Sequence, residues 1–283
     1  MATTSISKSI PAPKKRARGL SITWRALAND KVILSAGVFY AIFVAAIVGI
    51  LYPSLKQINF TAYVTSNAAA GLLGAKLSNA SSFQALMALE MYSSLYALIW
   101  GGIVGFIGGA SLPATFENGT LDLALARPIS RTRYYLEIWL SAAIGGLILS
   151  IGTAAAVGIS SLFVKDANID WTWLIIAQLI ELAFMFMASG IGVLFGSFMN
   201  ASRAAGGAAI GILALFYLMN TLGGLSNTLS WMQKIQPLYY TQSIQALAEH
   251  SITGWYPLVP VIGGLVCGIA GLVIFNRRDL PTT

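Results

Sequence analysis

"VILSAGVFYAIFVAAIVGILY", residues 32–52, carries no charged side chain, and its length decides the kind of protein this is. At 1.5 Å per residue a helix of this length covers about 30 Å, the thickness of a bilayer's hydrocarbon core. The run lacks the period-two alternation of a barrel strand. Comparable runs recur at about 86–110, 138–163, 172–197, 204–222 and 256–275. Composition agrees: 57% of the 283 residues are hydrophobic and only 10% are charged, with a mean hydropathy of +0.74. Soluble domains carry roughly 25% charged residues. The expected fold is an all-α polytopic membrane protein with six transmembrane helices.

Charge at the span ends sets the expected orientation. With the N-terminus inside, the inner segments hold thirteen of the seventeen Lys and Arg: Lys8, Lys14, Lys15, Arg16, Arg18, Arg25, Lys31, Arg127, Arg131, Arg133, Arg203, Arg277 and Arg278. The outer segments hold Lys56, Lys76, Lys165 and Lys234. Both termini are therefore expected in the cytoplasm. The chain divides into a cytoplasmic tail with an interfacial helix (1–31), the membrane domain (32–275) and a C-terminal tail (276–283). Residues 1–19 are Ser-, Pro- and basic-rich and read as disordered. They do not read as a cleaved signal, because a full-length span follows without a small-residue cleavage pattern. "LSITWRALANDK" (20–31) suits a short helix in the interface, anchoring the first span or docking a partner.

The outer segments, 53–85 and 223–255, carry little charge, and "WMQKIQPLYYTQSIQALAEHSITGWYP" (231–257) is expected as short helices dipping into the outer leaflet. Several chemistries are excluded. No Gly-Lys dipeptide exists, so no phosphate-binding loop is present. One histidine, His250, and one cysteine, Cys267, cannot make a familiar metal set or an intrachain disulfide. Cys267 reads as a small packing residue. No catalytic residue is expected, and no basic-aromatic surface suggests nucleic acid.

Polar and small residues inside the spans are the remaining signals. Glu181 lies about 15 Å deep in its span and Gln178 shares its face, while Glu90 lies nearer the outer surface. A carboxyl at depth is either protonated and hydrogen-bonded between helices or lines a pathway. Gly101, Gly105 and Gly109 share one helix face, which permits close backbone approach within the bundle or at a dimer seam. The halves of the chain show no repeat of the inverted kind found in secondary transporters.

Six charged residues are packed between the second and third spans: "FENGTLDLALARPISRTRYYLE", 116–137. Thr120 can cap a two-turn helix, with Asp122 favouring its N-terminus, and Pro128 ends it. Ser130 can cap the next helix, which enters the membrane past Tyr134, Tyr135 and Trp139. The short helix would lie along the cytoplasmic surface.

This stretch resembles the signature of the type-2 permease (ABC-2) family of ATP-binding-cassette transporters. The match runs through Glu117, Gly119-Thr120-Leu121, Asp122, Leu123-Ala124-Leu125 and Pro128-Ile129-Ser130-Arg131. The six-span plan, the Pro-Leu-Tyr-Tyr segment at 237–240 and the tail "IFNRRDLP" are also similar. Asn118 and Arg127 depart from the commoner pattern. The resemblance implies the permease subunit of an ATP-driven exporter in a plasma membrane of the bacterial inner-membrane type. It further implies that the chain carries no cofactor, ATP and Mg being bound by a separate ATPase subunit. A second permease subunit, identical or homologous, would complete the pathway in the lipid. Residues 117–131 would be the coupling element, with Glu117, Gly119, Thr120, Leu121, Asp122, Arg127, Pro128, Ser130 and Arg131 at the ATPase contact. The other readings are an ATP-independent channel or secondary transporter, and a non-transporting membrane partner.

Overall fold

The computed structural model describes residues 20–57, 61–78, 81–117, 129–165 and 167–278. Among them the regular elements are helical. They are α1 (Ser21–Leu55), α2 (Thr61–Val64), α3 (Asn67–Leu72), α4 (Phe83–Met91), α5 (Ser94–Glu117) and α6 (Arg131–Phe163). Then come α7 (Trp171–Phe198), α8 (Ser202–Leu225), α9 (Trp231–Lys234), α10 (Ser243–Glu249) and α11 (Leu258–Arg277). Six of these, α1, α5, α6, α7, α8 and α11, are long and apolar enough to cross a membrane. The fold is that of an all-α polytopic membrane protein.

α7 is the central helix. In its apolar window 72% of residues are buried, against 28% in α1, α8 and α11, which leave most of their surface outward. α5 packs against α7 and α8, α11 against α7, and α1 against α6. Small residues make this closeness possible. A Cβ on Gly192 of α7 would run into the Gly105 carbonyl, and one on Gly196 would stand 2.8 Å from the Gly109 carbonyl. Pro113 has no N–H to offer that Gly109 oxygen. α7 thus covers a carbonyl that α5 itself leaves open.

Three features depart from the sequence reading. The interfacial helix over 20–31 is not a separate piece, because it continues without a break into the first span as α1. Nothing in "LANDKVIL" stops a helix, and Leu27 and Leu34 bury the same face. The second span does not begin at 86: the chain breaks at Tyr92-Ser93, so Glu90 sits on α4 and the span proper is α5. Ser94 donates its N–H to the Leu73 carbonyl across this break. Finally, Tyr134 and Tyr135 do not face outward but are buried against Phe275 of α11. The Tyr135 hydroxyl donates to the Gly268 carbonyl at 2.7 Å.

One end of the bundle is covered by the segments around α2–α4 and α9–α10. Gln84 of α4 ties this cover together. Its amide donates to the Leu247 carbonyl and meets His250 Nε2 at 2.8 Å, while its oxygen accepts from Asp170 N at 2.7 Å. Asn220 of α8 does the same further along, donating to Ser94 Oγ at 2.9 Å and accepting from Gln236 Nε2 at 2.9 Å.

Candidate functional site

The opposite end of the bundle gathers the N-termini of α1, α6 and α8 with the C-termini of α5, α7 and α11. Helix ends expose unpaired backbone groups, which are costly near hydrocarbon. Among the described residues five of these six ends, those of α1, α6, α7, α8 and α11, find a partner. Ser130 caps α6, its Oγ accepting from Arg133 N at 3.2 Å. α1 and α8 have no capping side chain of their own, since Leu20 and Ala201 precede them. A glutamate from another helix serves each one. Glu117, the last residue of α5, accepts from Ser202 N at 3.0 Å and from Ser202 Oγ at 2.5 Å. Glu137 of α6 accepts from Ile22 N at 3.0 Å, and its backbone carbonyl takes the Thr23 hydroxyl at 3.0 Å.

Cations serve the C-terminal ends. Arg278 donates from Nη1 to the carbonyls of Ser197 (3.1 Å) and Met199 (3.3 Å), and from Nη2 to Asn200 Oδ1. Arg131 Nη1 donates to the Arg278 carbonyl at 3.0 Å. Arg133 pairs with the buried Glu137 at 2.8 Å. The hydrogen bonds from the Ser202 hydroxyl and backbone hold the Glu117 carboxyl below its ordinary range. A cavity of about 310 Å³ lies where α1 meets α6, lined by Leu20, Ser130, Thr132, Arg133, Leu136, Glu137 and Leu140.

Of the sequence-derived coupling residues, Glu117, Ser130 and Arg131 meet helix ends on this face. Gly119, Thr120, Leu121, Asp122, Arg127 and Pro128 lie outside the described residues. Glu137 and Arg278, which sequence reasoning passed over, are equally engaged. Their signals were faint: Glu137 lies one turn beyond Arg133, and Arg278 follows the last span directly.

A second polar group lies inside the bundle, near the covered end. Glu181 of α7 is buried, with Oε2 at 3.0 Å from Ser243 Oγ of α10. Gln178 bonds not to Glu181 but across helices: its oxygen accepts from the Tyr92 hydroxyl at 2.8 Å and its amide donates to Ser150 Oγ of α6 at 2.9 Å. Tyr96 and Thr153 share a hydrogen bond at 3.2 Å. Glu90 is exposed on α4 and takes no place in this cluster. Gly101 faces Phe184, Gly105 faces Ala188 and Leu213, and Gly109 faces Ala205 and Gly206. All three therefore lie in the seam of α5 with α7 and α8. Among the described residues no group of three or more His, Cys, Asp and Glu could hold a metal ion.

Six apolar helices with mutually capped ends, a glycine seam and a buried polar cluster define a polytopic membrane protein. Residues 36–276 match the family described as the multidrug efflux system permease Rv1217c, C-terminal domain, and the chain belongs to that family. It is a transport permease. No curated protein matches it.

Proposed function

We propose that the chain is the transmembrane subunit of an ATP-driven exporter of the type-2 ATP-binding-cassette class, paired with a second permease subunit. A separate ATPase subunit binds ATP and Mg and engages the 117–131 segment, and this chain holds no cofactor. The assembly sits in a plasma membrane of the bacterial inner-membrane type with both termini in the cytoplasm. The observation that carries this reading is where the signature lies. It joins α5 to α6, and Glu117, Ser130 and Arg131 at its ends hold the first turns of α8 and α6 and the end of α11. A push on the segment therefore reaches three span ends directly. The family's description as a multidrug efflux permease, together with apolar spans, favours amphipathic or hydrophobic cargo.

A second reading has one observation behind it: the buried carboxyl of Glu181 is the kind of group that proton-linked transporters use. Inverted vesicles separate the two. Dye accumulation that needs the co-expressed ATPase and hydrolysable ATP supports the exporter. Accumulation driven by a proton gradient without nucleotide, and no ATPase retained on the tagged permease, would replace it with the second reading.

A further inference from the structure

Glu181 stands ten residues into α7, and its side chain is 1% exposed. Its Oε2 is 3.0 Å from Ser243 Oγ, and its Oε1 has no hydrogen-bond partner among the described residues. The same Ser243 oxygen lies 3.4 Å from the Tyr92 backbone carbonyl, at the break between α4 and α5. A serine hydroxyl has one proton to donate, so it cannot serve a carboxylate and a carbonyl together. Both contacts are served when the carboxyl brings its own proton. Glu181 then donates to Ser243, and Ser243 donates to the Tyr92 carbonyl.

The surroundings favour the same state. No Lys, Arg or His forms an ion pair with Glu181 among the described residues. The titratable groups facing it are Tyr92 at the break and Tyr96 of α5. α6 brings only the hydroxyls of Ser150 and Thr153 to the cluster. On α10, Glu249 turns away to Ser78 N, and the following His250 turns to Gln84 and Trp173. An ionised carboxyl here would keep one oxygen bare in an apolar setting, which is costly.

We propose that Glu181 is a proton-binding site whose neutral carboxyl latches α10 to the α4–α5 break, so that loss of the proton releases α10 from the break while Ser243 stays bonded to the carboxylate of α7. The chain of contacts joins three elements through one transferable hydrogen. On ionisation the proton passes to water, Ser243 turns its hydroxyl to the carboxylate, and the Tyr92 carbonyl loses its donor. The latch is therefore closed at low pH and is lost as pH rises through the ionisation of Glu181. This inference does not depend on what drives transport.

The test reads the cover itself, in detergent-purified protein with Cys267→Ser. A single cysteine at Ala246, fully buried on α10, is reacted with a maleimide from about pH 5 to about pH 9. Its rate is divided by that of a cysteine at the exposed Thr228, which removes the reagent's own pH dependence. The expected ratio rises with pH by about tenfold or more overall, since one proton must leave before opening. Glu181→Gln, whose amide donates to Ser243 as the neutral acid does, holds the ratio low throughout. Ser243→Ala raises it at low pH. A flat wild-type ratio, a Glu181→Gln ratio that rises like wild type or stays high throughout, or full low-pH protection in Ser243→Ala would each overturn the latch.

Discussion

Glu117 and Ser202, 85 residues apart, form a two-point contact in which one carboxylate oxygen takes the Ser202 N–H and the other takes its hydroxyl. The end of α5 is thereby fastened to the start of α8, and a charge expected to face a partner also has work inside its own chain. Replacing Glu117 by Ala should speed amide exchange in the first turn of α8 and leave the first turn of α6, capped by Ser130, unchanged. Acid should act the same way. The depressed carboxyl stabilises the contact above the ordinary carboxylate range, and that contribution is lost as pH falls through its folded-state value. Equal exchange in the variant and wild type would remove Glu117 as the cap of α8.

Docking and capping at Glu117 can be told apart. Ser202→Ala weakens the contact but leaves the glutamate's charge available to an ATPase. If the charge itself meets the partner, Glu117→Lys should lower ATPase capture by about tenfold or more, while Ser202→Ala should not. Normal capture and normal transport by Glu117→Lys would end the coupling role for that residue.

Glu137 offers a stronger structural test because its side chain is only 4% exposed. Glu137→Ala leaves the Ile22 N–H without its acceptor and removes the carboxylate that pairs with Arg133. The loss should be about 1.5–3 kcal/mol, the range for hydrogen bonds to a charged group. Arg133→Ala should cost less from the Arg133 side, because that side chain is 44% exposed. Thermal unfolding in detergent would rank the two, and the reverse order would contradict the geometry.

The glycines divide into two groups with opposite expected signs. Gly192→Ala sets a methyl against the Gly105 carbonyl, where neither backbone can yield. It should destabilise by about 1–3 kcal/mol, the cost of overpacking a tight interior. Gly207 and Gly211 of α8 have nothing within 4 Å of an added Cβ. Alanine there should be neutral or stabilising, by up to about 1 kcal/mol, from helix propensity. Unfolding of the three variants under one detergent condition checks the contrast.

Orientation follows from the uneven Lys and Arg count and is measured directly. With Cys267→Ser, a cysteine at Ser230 should react with an impermeant thiol reagent in intact cells, and one at Ser7 should not. Labelling at Ser7 alone would reverse the topology.

The all-α fold and the six spans were legible because length and apolarity are properties of single segments. The break at Tyr92-Ser93 was not, since "EMYSSLYA" is apolar enough to continue a helix, and the bend is favoured by distant groups, the Leu73 carbonyl and Ser243 hydroxyl, as well as by Ser93 Oγ, which accepts from Tyr96 N at 3.4 Å. The spacing of Gly101, Gly105 and Gly109 put them on one face, but not which neighbours that face would meet. Glu181 and Gln178 stood out in sequence as polar groups at depth. Their real partners, Ser243, Tyr92 and Ser150, come from three other parts of the chain and leave no local pattern. The same holds for the glutamates that cap distant helices. Periodicity describes one helix, whereas a borrowed cap is a property of two.

Borrowed caps also give the chain a schedule. α1 is made before α6, yet the carboxylate that completes its opening turn belongs to that later helix, 115 residues on. α5 ends in a glutamate whose partner is Ser202, 85 residues further on. A nascent chain released after its second span would hold one helix with a frayed start and one glutamate with nothing to grip. Each later insertion finishes an earlier one, so these ends close only as the ribosome delivers the third and fifth spans.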